Sequence, residues 1–150
     1  MRKSSAHFVP GYSSIYVYDD LRNANPIVDP DLVPSLPADM HIAHCTENDR
    51  GNCPTFDVKP VIDRASAEDD PLATDANGGK LKEQLWIAYL ATGGDFTKDL
   101  RLVNDATTGW NDDYGTKFRA PATAGPVHRF GIVHDNRGGV AWAQKRIIVD

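Results

Sequence analysis

The sequence predicts an all-β protein built from short strands, and three observations lead to this prediction. Residues 12–18 are aromatic and β-branched, a composition typical of a strand. Ten Pro and twelve Gly among the 150 residues indicate many short connections. Near the C-terminus two apolar runs flank the Gly-rich residues 135–139, the sequence pattern of a β-hairpin. A chain of this length is predicted to form one domain.

The N-terminal half contains three further candidate elements. Residues 27–28 are predicted to be a short extended piece, and residues 40–45 a strand. Residues 56–62 are predicted to form a strand at a sheet edge, because Pro60 cannot donate to a ladder of backbone hydrogen bonds. The acidic and Gly-rich residues 63–80 are predicted to be a solvated loop.

The C-terminal half is more regular. Residues 81–91 contain helix-forming residues, but we predict a strand there that residues 92–95 break. A short strand follows at 116–120, and the hairpin pairs residues 127–134 with 140–149. Side chains alternate between the two faces of a strand. This alternation assigns to the core the residues Leu85, Ile87, Tyr89, Ala141, Ala143, Ile147 and Val149.

Three motifs in this half, in this order and spacing, resemble the immunoglobulin-like, PKD-like repeats of bacterial surface proteins. They are Tyr-Leu-Ala-Thr-Gly-Gly at 89–94, Ala-Pro-Ala-Thr-Ala-Gly at 120–125 and His-Asp-Asn-Arg-Gly-Gly at 134–139. The chain is also similar to predicted bacterial envelope lipoproteins of unknown function, through residues 23–29, the run from Cys45 to Pro54, and residues 133–139. The detailed match covers residues 81–150.

The resemblance implies an immunoglobulin-like β-sandwich over residues 23–150, a location at the cell surface and no catalytic residues. Two departures stand out: Tyr89 occupies a position where such repeats usually bury a Trp, and residues 46–80 form a long, loop-rich insertion before the middle strands. Residues 1–22 are a separate N-terminal segment. Its residues 15–18 offer a strand that could pack on the sandwich.

Charge and motifs narrow the function classes. The formal charge of −5, with scattered basic residues, argues against a nucleic-acid partner, which clustered Lys and Arg would bind. No apolar run reaches the ~18 residues of a membrane span. Neither a Gly-x-Ser-x-Gly elbow nor a nucleotide-binding glycine loop is present. We therefore expect a protein that is not an enzyme and has no cofactor.

The two cysteines, Cys45 and Cys53, flank a run of turn-forming residues that can bring their sulfurs together. We predict a disulfide, which implies an oxidising compartment: periplasmic, outer-membrane-associated or extracellular. The alternative is a zinc site that adds His41 and His44. Strand alternation would point His44 away from the others, so we expect no metal there.

Acidic clusters at 69–75 and 111–113 could suggest calcium or a pair of glycosidase carboxylates. Neither cluster matches the EF-hand pattern, which has Asp and Gly at fixed positions in its calcium loop. We expect both to be solvated turns. Asp135 is expected to accept backbone N–H bonds in its own turn.

An outer apolar patch is the candidate binding site. If Ile87 and Tyr89 face the core, their neighbours on the strand face outward, and the same alternation applies to the hairpin. The predicted patch consists of Trp86, Leu90, Phe130, Ile132 and Trp142. A patch of this kind indicates either an interface or a surface covered by residues 15–18 of the same chain.

We therefore expect a structural or protein-interaction module of the bacterial cell envelope, attached to a larger assembly. The partner would be a protein or a neighbouring subunit. The alternative is a carbohydrate- or metal-binding domain of a secreted protein, in which the aromatic residues would stack on a sugar.

Overall fold

The computed structural model describes residue 24 and residues 26–28, 40–46 and 50–150. Within these residues it contains β-strands and one 3-10 helix, Arg64–Ser66. The all-β prediction is therefore confirmed. The described strands are β1 (Met40–Ile42), β2 (Thr55–Val58), β3 (Asp69–Thr74), β4 (Lys80–Lys82), β5 (Leu85–Ala91), β6 (Asp95–Phe96), β7 (Leu100–Asp105), β8 (Gly109–Trp110), β9 (Thr116–Arg119), β10 (Gly125–Asp135) and β11 (Val140–Val149). The predicted strand at 12–18 and the N-terminal segment 1–22 lie outside the described residues.

Three sheets make up the described fold. The largest has the strand order β1-β11-β10-β5-β7-β8, in which β1 runs parallel to β11 and the other neighbours are antiparallel. A second sheet has the order β2-β9-β6, and β3 pairs only with β4. The pairing places β10 at the centre of the largest sheet, between β5 and β11. These three strands carry the candidate site.

One core cluster contains buried residues of the largest sheet and of the sheet of β2, β9 and β6. Every residue assigned to the core from alternation is at most 7% exposed. From the sheet of β2, β9 and β6, the fully buried Phe118 packs its ring against Phe96, and Phe96 in turn contacts Tyr89. The Tyr89 hydroxyl donates a 2.7 Å hydrogen bond to the carbonyl of Tyr114. Burial raises the pKa of this phenol, which keeps it a neutral donor.

The C-terminal hairpin forms as predicted, with β10 and β11 in continuous register from Gly125 opposite Val149 to His134 opposite Val140. Four other predicted strands differ in extent from the structure. The strand predicted at 81–91 is divided between β4 and β5, and the strand predicted at 116–120 ends at Arg119. The remaining two are shorter. The strand expected at 56–62 ends at Val58, two residues before Pro60, and lies at a sheet edge as predicted. The strand expected at 40–45 ends at Ile42.

The prediction of a solvated loop at 63–80 is wrong, because β3 and β4 form a hairpin there. Its turn is closed by Asp75, whose carboxylate accepts the backbone N–H groups of Asn77 and Gly79, each at 2.8 Å. Lys82 pairs with Asp69 across the two strands at 2.8 Å. The composition of this segment is typical of a loop. The hairpin is stabilised by hydrogen bonds from the Asp75 side chain to the backbone and by the ion pair between the two strands.

Arg129 is an unusual core residue. It is 1% exposed, and its guanidinium carbon lies 5.3 Å from the centroid of the Phe118 ring. Its Nε and Nη2 atoms have no hydrogen-bond partner in the part of the chain that the structure describes. Burial lowers its pKa to about 10, since the charged form is poorly solvated.

Arg129→Met is therefore expected to increase the free energy of unfolding by about 1–3 kcal/mol, because it removes a desolvated cation and keeps most of the side-chain volume. Urea denaturation at pH 7 measures this. Arg146→Met is the matched control: it lies on the same sheet with an exposed side chain and should change stability by less than about 0.5 kcal/mol. A loss of stability in Arg129→Met would show that the guanidinium has a counterpart in the folded protein.

Candidate functional site

Three rows of side chains lie on the surface of β5, β10 and β11 that faces away from the core. The cross-strand register defines each row, because the residues in it are direct neighbours on adjacent strands. We call these nine residues the outer face. Row by row they are Trp86, His134 and Val140; Ala88, Ile132 and Trp142; and Leu90, Phe130 and Gln144.

The five residues predicted for the outer patch all belong to this face. Leu90 is 53% exposed and Trp142 is 38% exposed, while Trp86, Phe130 and Ile132 are half-buried. The structure thus brings the five side chains together on one side of the sheet, and the buried residues between them along each strand point to the other side. Its role as a binding surface stays a prediction.

The aromatic rings of the outer face are arranged in two stacked pairs. Trp86 stacks on His134 with ring centroids 5.6 Å apart and planes within 11° of parallel. Phe130 stacks on Trp142 at 6.1 Å and 16°. The rings of each pair are thus nearly parallel, and both pairs lie on the same face of the sheet.

Polar rows close the outer face at both ends of the strands. At one end the Gln144 amide lies 2.6 Å from Nδ1 of His128, and the backbone N–H of His128 donates to the hydroxyl of Thr92. At the other end the backbone of Gln84 donates to the Asn136 side chain at 2.9 Å. An apolar centre bounded by hydrogen-bonded polar groups is the usual composition of a protein interface.

The predicted disulfide between Cys45 and Cys53 is present. Both sulfurs are therefore unavailable as zinc ligands. The two histidines of the alternative zinc site bind Asp150 instead: Nδ1 of His41 lies 2.8 Å from its carboxylate, and Nδ1 of His44 lies 2.7 Å from its carbonyl oxygen. A disulfide persists in oxidising compartments and is rare in the cytosol, so it indicates a chain that matures outside the cytoplasm.

The acidic clusters are engaged in turns and ion pairs. Asp112 accepts two 3.1 Å hydrogen bonds from Arg64, and the Asp113 carboxylate lies 2.7 Å from the guanidinium of Arg101. Asp135 accepts the backbone N–H groups of residues 137 and 139 at 2.8 Å, as predicted for its turn. Across the described ranges, no three His, Cys, Asp or Glu side chains are grouped closely enough to hold a metal ion.

A buried polar cluster lies beside the outer face, where the β3–β4 hairpin meets the β10–β11 turn. Glu83 is fully buried, and one of its carboxylate oxygens accepts a 2.6 Å hydrogen bond from Arg137. Its other oxygen has no partner among the described residues. Desolvation, assisted by the nearby charge of Asp135, raises the pKa of Glu83 to about 7, although the Arg137 bond opposes the shift.

Sequence reasoning did not predict this cluster. Glu83 stands in a polar stretch, but alternation along the predicted strand 81–91 places it on the same face as Leu85 and Ile87. A second indication in the sequence is the hairpin turn, where Asp135, Asn136 and Arg137 offer many hydrogen-bonding groups. The turn anchors the cluster, since the Asn136 amide donates to Asp70 at 3.2 Å.

In the portion of the chain with described structure, there is no helix with the length and apolar character needed to cross a bilayer.

Comparisons with known proteins complete the description of the chain. No family model matches it, and no curated protein matches it. Among solved structures it is similar to a nucleoside hydrolase-related hypothetical protein from Saccharophagus degradans that is associated with carbohydrate metabolism, with a TM-score of 0.38 and 12% sequence identity. That match covers 87% of this chain and 26% of the other, so the chain spans about a quarter of the length of that protein. A similarity this weak carries no argument about fold or function.

Proposed function

We propose that this chain is a non-enzymatic interaction module of the bacterial cell envelope, a subunit or domain of a larger assembly. Its outer face would bind a protein partner. The observation that carries this proposal is the apolar patch of Trp86, Leu90, Phe130, Ile132 and Trp142 within the outer face. Removing such a surface from water favours association by roughly 25 cal/mol per Å² of apolar area.

The composition of the outer face favours a protein over a sugar. Aliphatic residues occupy its middle, where Ala88 and Ile132 are direct neighbours. The aromatic rings are stacked in pairs, whereas stacking on a sugar needs the flat face of a ring turned to solvent. Carbohydrate binding is the alternative function, and a test of the proposal has to distinguish it from protein binding.

The strand arrangement supports the immunoglobulin-like part of the proposal. In constant-type immunoglobulin domains, strands C, F and G form one sheet and strands B and E adjoin in the other. Here β5, β10 and β11 adjoin in that order, and β2 adjoins β9 in the opposite sheet. The disulfide supports placement in the periplasm, at the outer membrane or outside the cell.

Site-specific photo-crosslinking in cells tests the proposal. With a photoreactive amino acid at Leu90, which is 53% exposed, we expect one discrete crosslinked protein, because this position lies at the edge of the outer face. Leu72 is the matched control: it is a leucine on β3 with 79% exposure, and we expect no discrete product from it. Trp86→Asp should abolish the Leu90 crosslink, because it places a charge in the apolar surface.

Three results would contradict the proposal. Equal crosslinking from Leu90 and Leu72 would mean that contact at the outer face is not specific. A product confined to the same chain would mean that the N-terminal segment covers the face. Binding of purified protein to insoluble polysaccharide, lost in Trp86→Asp, would favour the carbohydrate alternative.

A further inference from the structure

A cationic cleft lies away from the outer face, where the sheet of β2, β9 and β6 meets β7. Its volume is about 330 Å³. The lining comes from the end of β2, the connection between β6 and β7, the connection between β8 and β9, and the start of β9. Its charged lining residues are Lys59, Lys98, Arg101, Lys117, Asp57 and Asp113.

The cleft has an excess of positive charge in a chain whose formal charge is −5. Four of its lining residues are cationic and two are carboxylates, which leaves two positive charges in excess. A concave surface with an excess of one sign of charge raises the local concentration of ions of the opposite sign. The local charge thus favours an anion although the whole protein is acidic.

The two carboxylates do not neutralise every cation. Asp113 is held by Arg101, which donates to its carboxylate at 2.7 Å and also to its carbonyl. Asp57 lies 3.6 Å from the ammonium of Lys117, a long ion pair in which the Asp57 side chain is 85% exposed. No hydrogen bond or ion pair reaches the ammonium of Lys98 from the residues with described structure.

Lys59 supplies another available donor. Its ammonium lies 4.8 Å from the centroid of the Tyr114 ring, a cation–π contact that holds the side chain but engages no hydrogen-bond acceptor. The lysine stem lies against the backbone of Gly115, where an added Cβ would come within 3.3 Å of the Lys59 Cβ. Tyr114 and Gly115 thus restrict this side chain, and Lys59 lines the cleft.

The backbone beneath the lysines is held in place by hydrogen bonds. The buried Thr116 hydroxyl accepts from the N–H of Lys98 at 3.1 Å and donates to its carbonyl at 2.7 Å. The N–H of Thr97 donates to the carbonyl of Lys117 at 2.9 Å. The backbone at Lys98 and Lys117 is therefore already ordered on two adjoining segments. A ligand that contacts both side chains would not have to offset the entropy of ordering this backbone.

We propose that this cleft binds the oxyanion group of an acidic ligand, with the ammonium groups of Lys59, Lys98 and Lys117 as its donors. Each ammonium would form a charge-assisted hydrogen bond to an anionic oxygen. Carboxylate, sulfate and phosphate groups share this chemistry, and the cleft is large enough for one such group together with its neighbouring atoms. The site is independent of the outer face, so the two can be tested separately.

The test is a titration of the full chain with simple anions at constant ionic strength, in which the backbone amide NMR signals are recorded at each anion concentration. Inorganic phosphate, sodium sulfate and galacturonate are added in separate experiments, and chloride replaces the anion in the reference. We expect saturable shifts at the amides of residues 97–98 and 115–117 with at least one of the three. The anion that saturates at the lowest concentration identifies the preferred group.

Matched variants decide whether the lysines are responsible. Lys98→Ala combined with Lys117→Ala should weaken binding by about tenfold or more, the effect of losing charge-assisted bonds. Lys80→Ala, an exposed lysine on the β3–β4 hairpin, should leave the titration unchanged. Unsaturated shifts with all three anions, or saturation that survives the double substitution, would overturn the proposal. Far-UV circular dichroism checks that the variants keep the fold.

Discussion

Arg137→Met is expected to lower the free energy of unfolding by about 2 kcal/mol at pH 8 and by only about 1 kcal/mol at pH 5. Arg137 donates a 2.6 Å hydrogen bond to Glu83, which is fully buried. At pH 8 the substitution leaves Glu83 either ionised without its cation or protonated against the bulk pH, and the protonated state limits the extra loss to about 1.4 kcal/mol. At pH 5 Glu83 is protonated in the folded protein, because its pKa is raised to about 7, so only the hydrogen bond to a neutral group is lost.

Urea denaturation of wild type and variant at both pH values measures this difference. The double variant Glu83→Gln with Arg137→Met is the control, and its loss of stability relative to Glu83→Gln should not change between pH 5 and pH 8. The difference between the two pH values isolates the Glu83 pair from any other contact of Arg137. An equal loss at both pH values would mean that Glu83 is not the titrating partner.

The raised pKa of Glu83 also determines the sign of its contribution to the pH dependence of the wild type. The folded protein binds this proton more tightly than the unfolded chain, in which the pKa of the carboxyl group is 4.5. Stability from this group is therefore fully present below the unfolded value and decreases as pH rises through about 7. The decrease is at most about 3 kcal/mol, and Glu83→Gln should remove it.

Removal of the disulfide is the second large effect that we expect. Replacing Cys45 and Cys53 by Ala should lower the free energy of unfolding by about 2–3 kcal/mol, because the closed loop restricts the unfolded chain. The link joins two cysteines that are eight residues apart in sequence, and Cys45 is 5% exposed within the core. Its backbone N–H donates to Pro121 at 2.9 Å, so the link also secures the chain after β1.

Urea denaturation with and without reductant measures the disulfide effect. Reduced wild type should match the double Ala variant to within about 1 kcal/mol, and reductant should not affect the variant. If oxidised and reduced wild type unfold at the same urea concentration, the link contributes nothing to stability, and the argument for an oxidising compartment is weakened accordingly.

Alternation along strands was sufficient to predict the five residues of the outer patch, which form part of the nine-residue outer face. The register of β10 with its two neighbours places Phe130 and Ile132 beside Leu90 and Trp142, and the sequence pattern had assigned these residues to one face. This was possible because the side-chain period of a strand is two, so one buried position determines all the others on that strand. The hairpin turn at 135–139 then sets the pairing of β10 with β11.

Short strands with weak patterns were not predictable in this way. The strands β6, β7 and β8 were not expected, and two of them contain only two residues each. In β7, Leu100 and Leu102 are apolar and two residues apart, but Leu100 is exposed and the buried residue of the strand is Val103. The polar residues around this short run also make the strand hard to recognise from the sequence. These strands form because longer neighbours offer unpaired backbone groups, a tertiary effect that local composition does not record.

The sequence by itself determined the all-β class, the C-terminal hairpin, the division of its strands into inner and outer faces, and the disulfide. Each of these follows from local periodicity, turn chemistry or a short cysteine spacing. Alternation also places Glu83 and Arg129 on the inner faces of their strands, but tertiary structure alone decided which groups surround them, and it alone formed the cationic cleft. These environments are built from segments distant in sequence, such as Lys59 beside Gly115. Hydrogen-bond partners and local charge depend on those long-range neighbours, and no local pattern contains them.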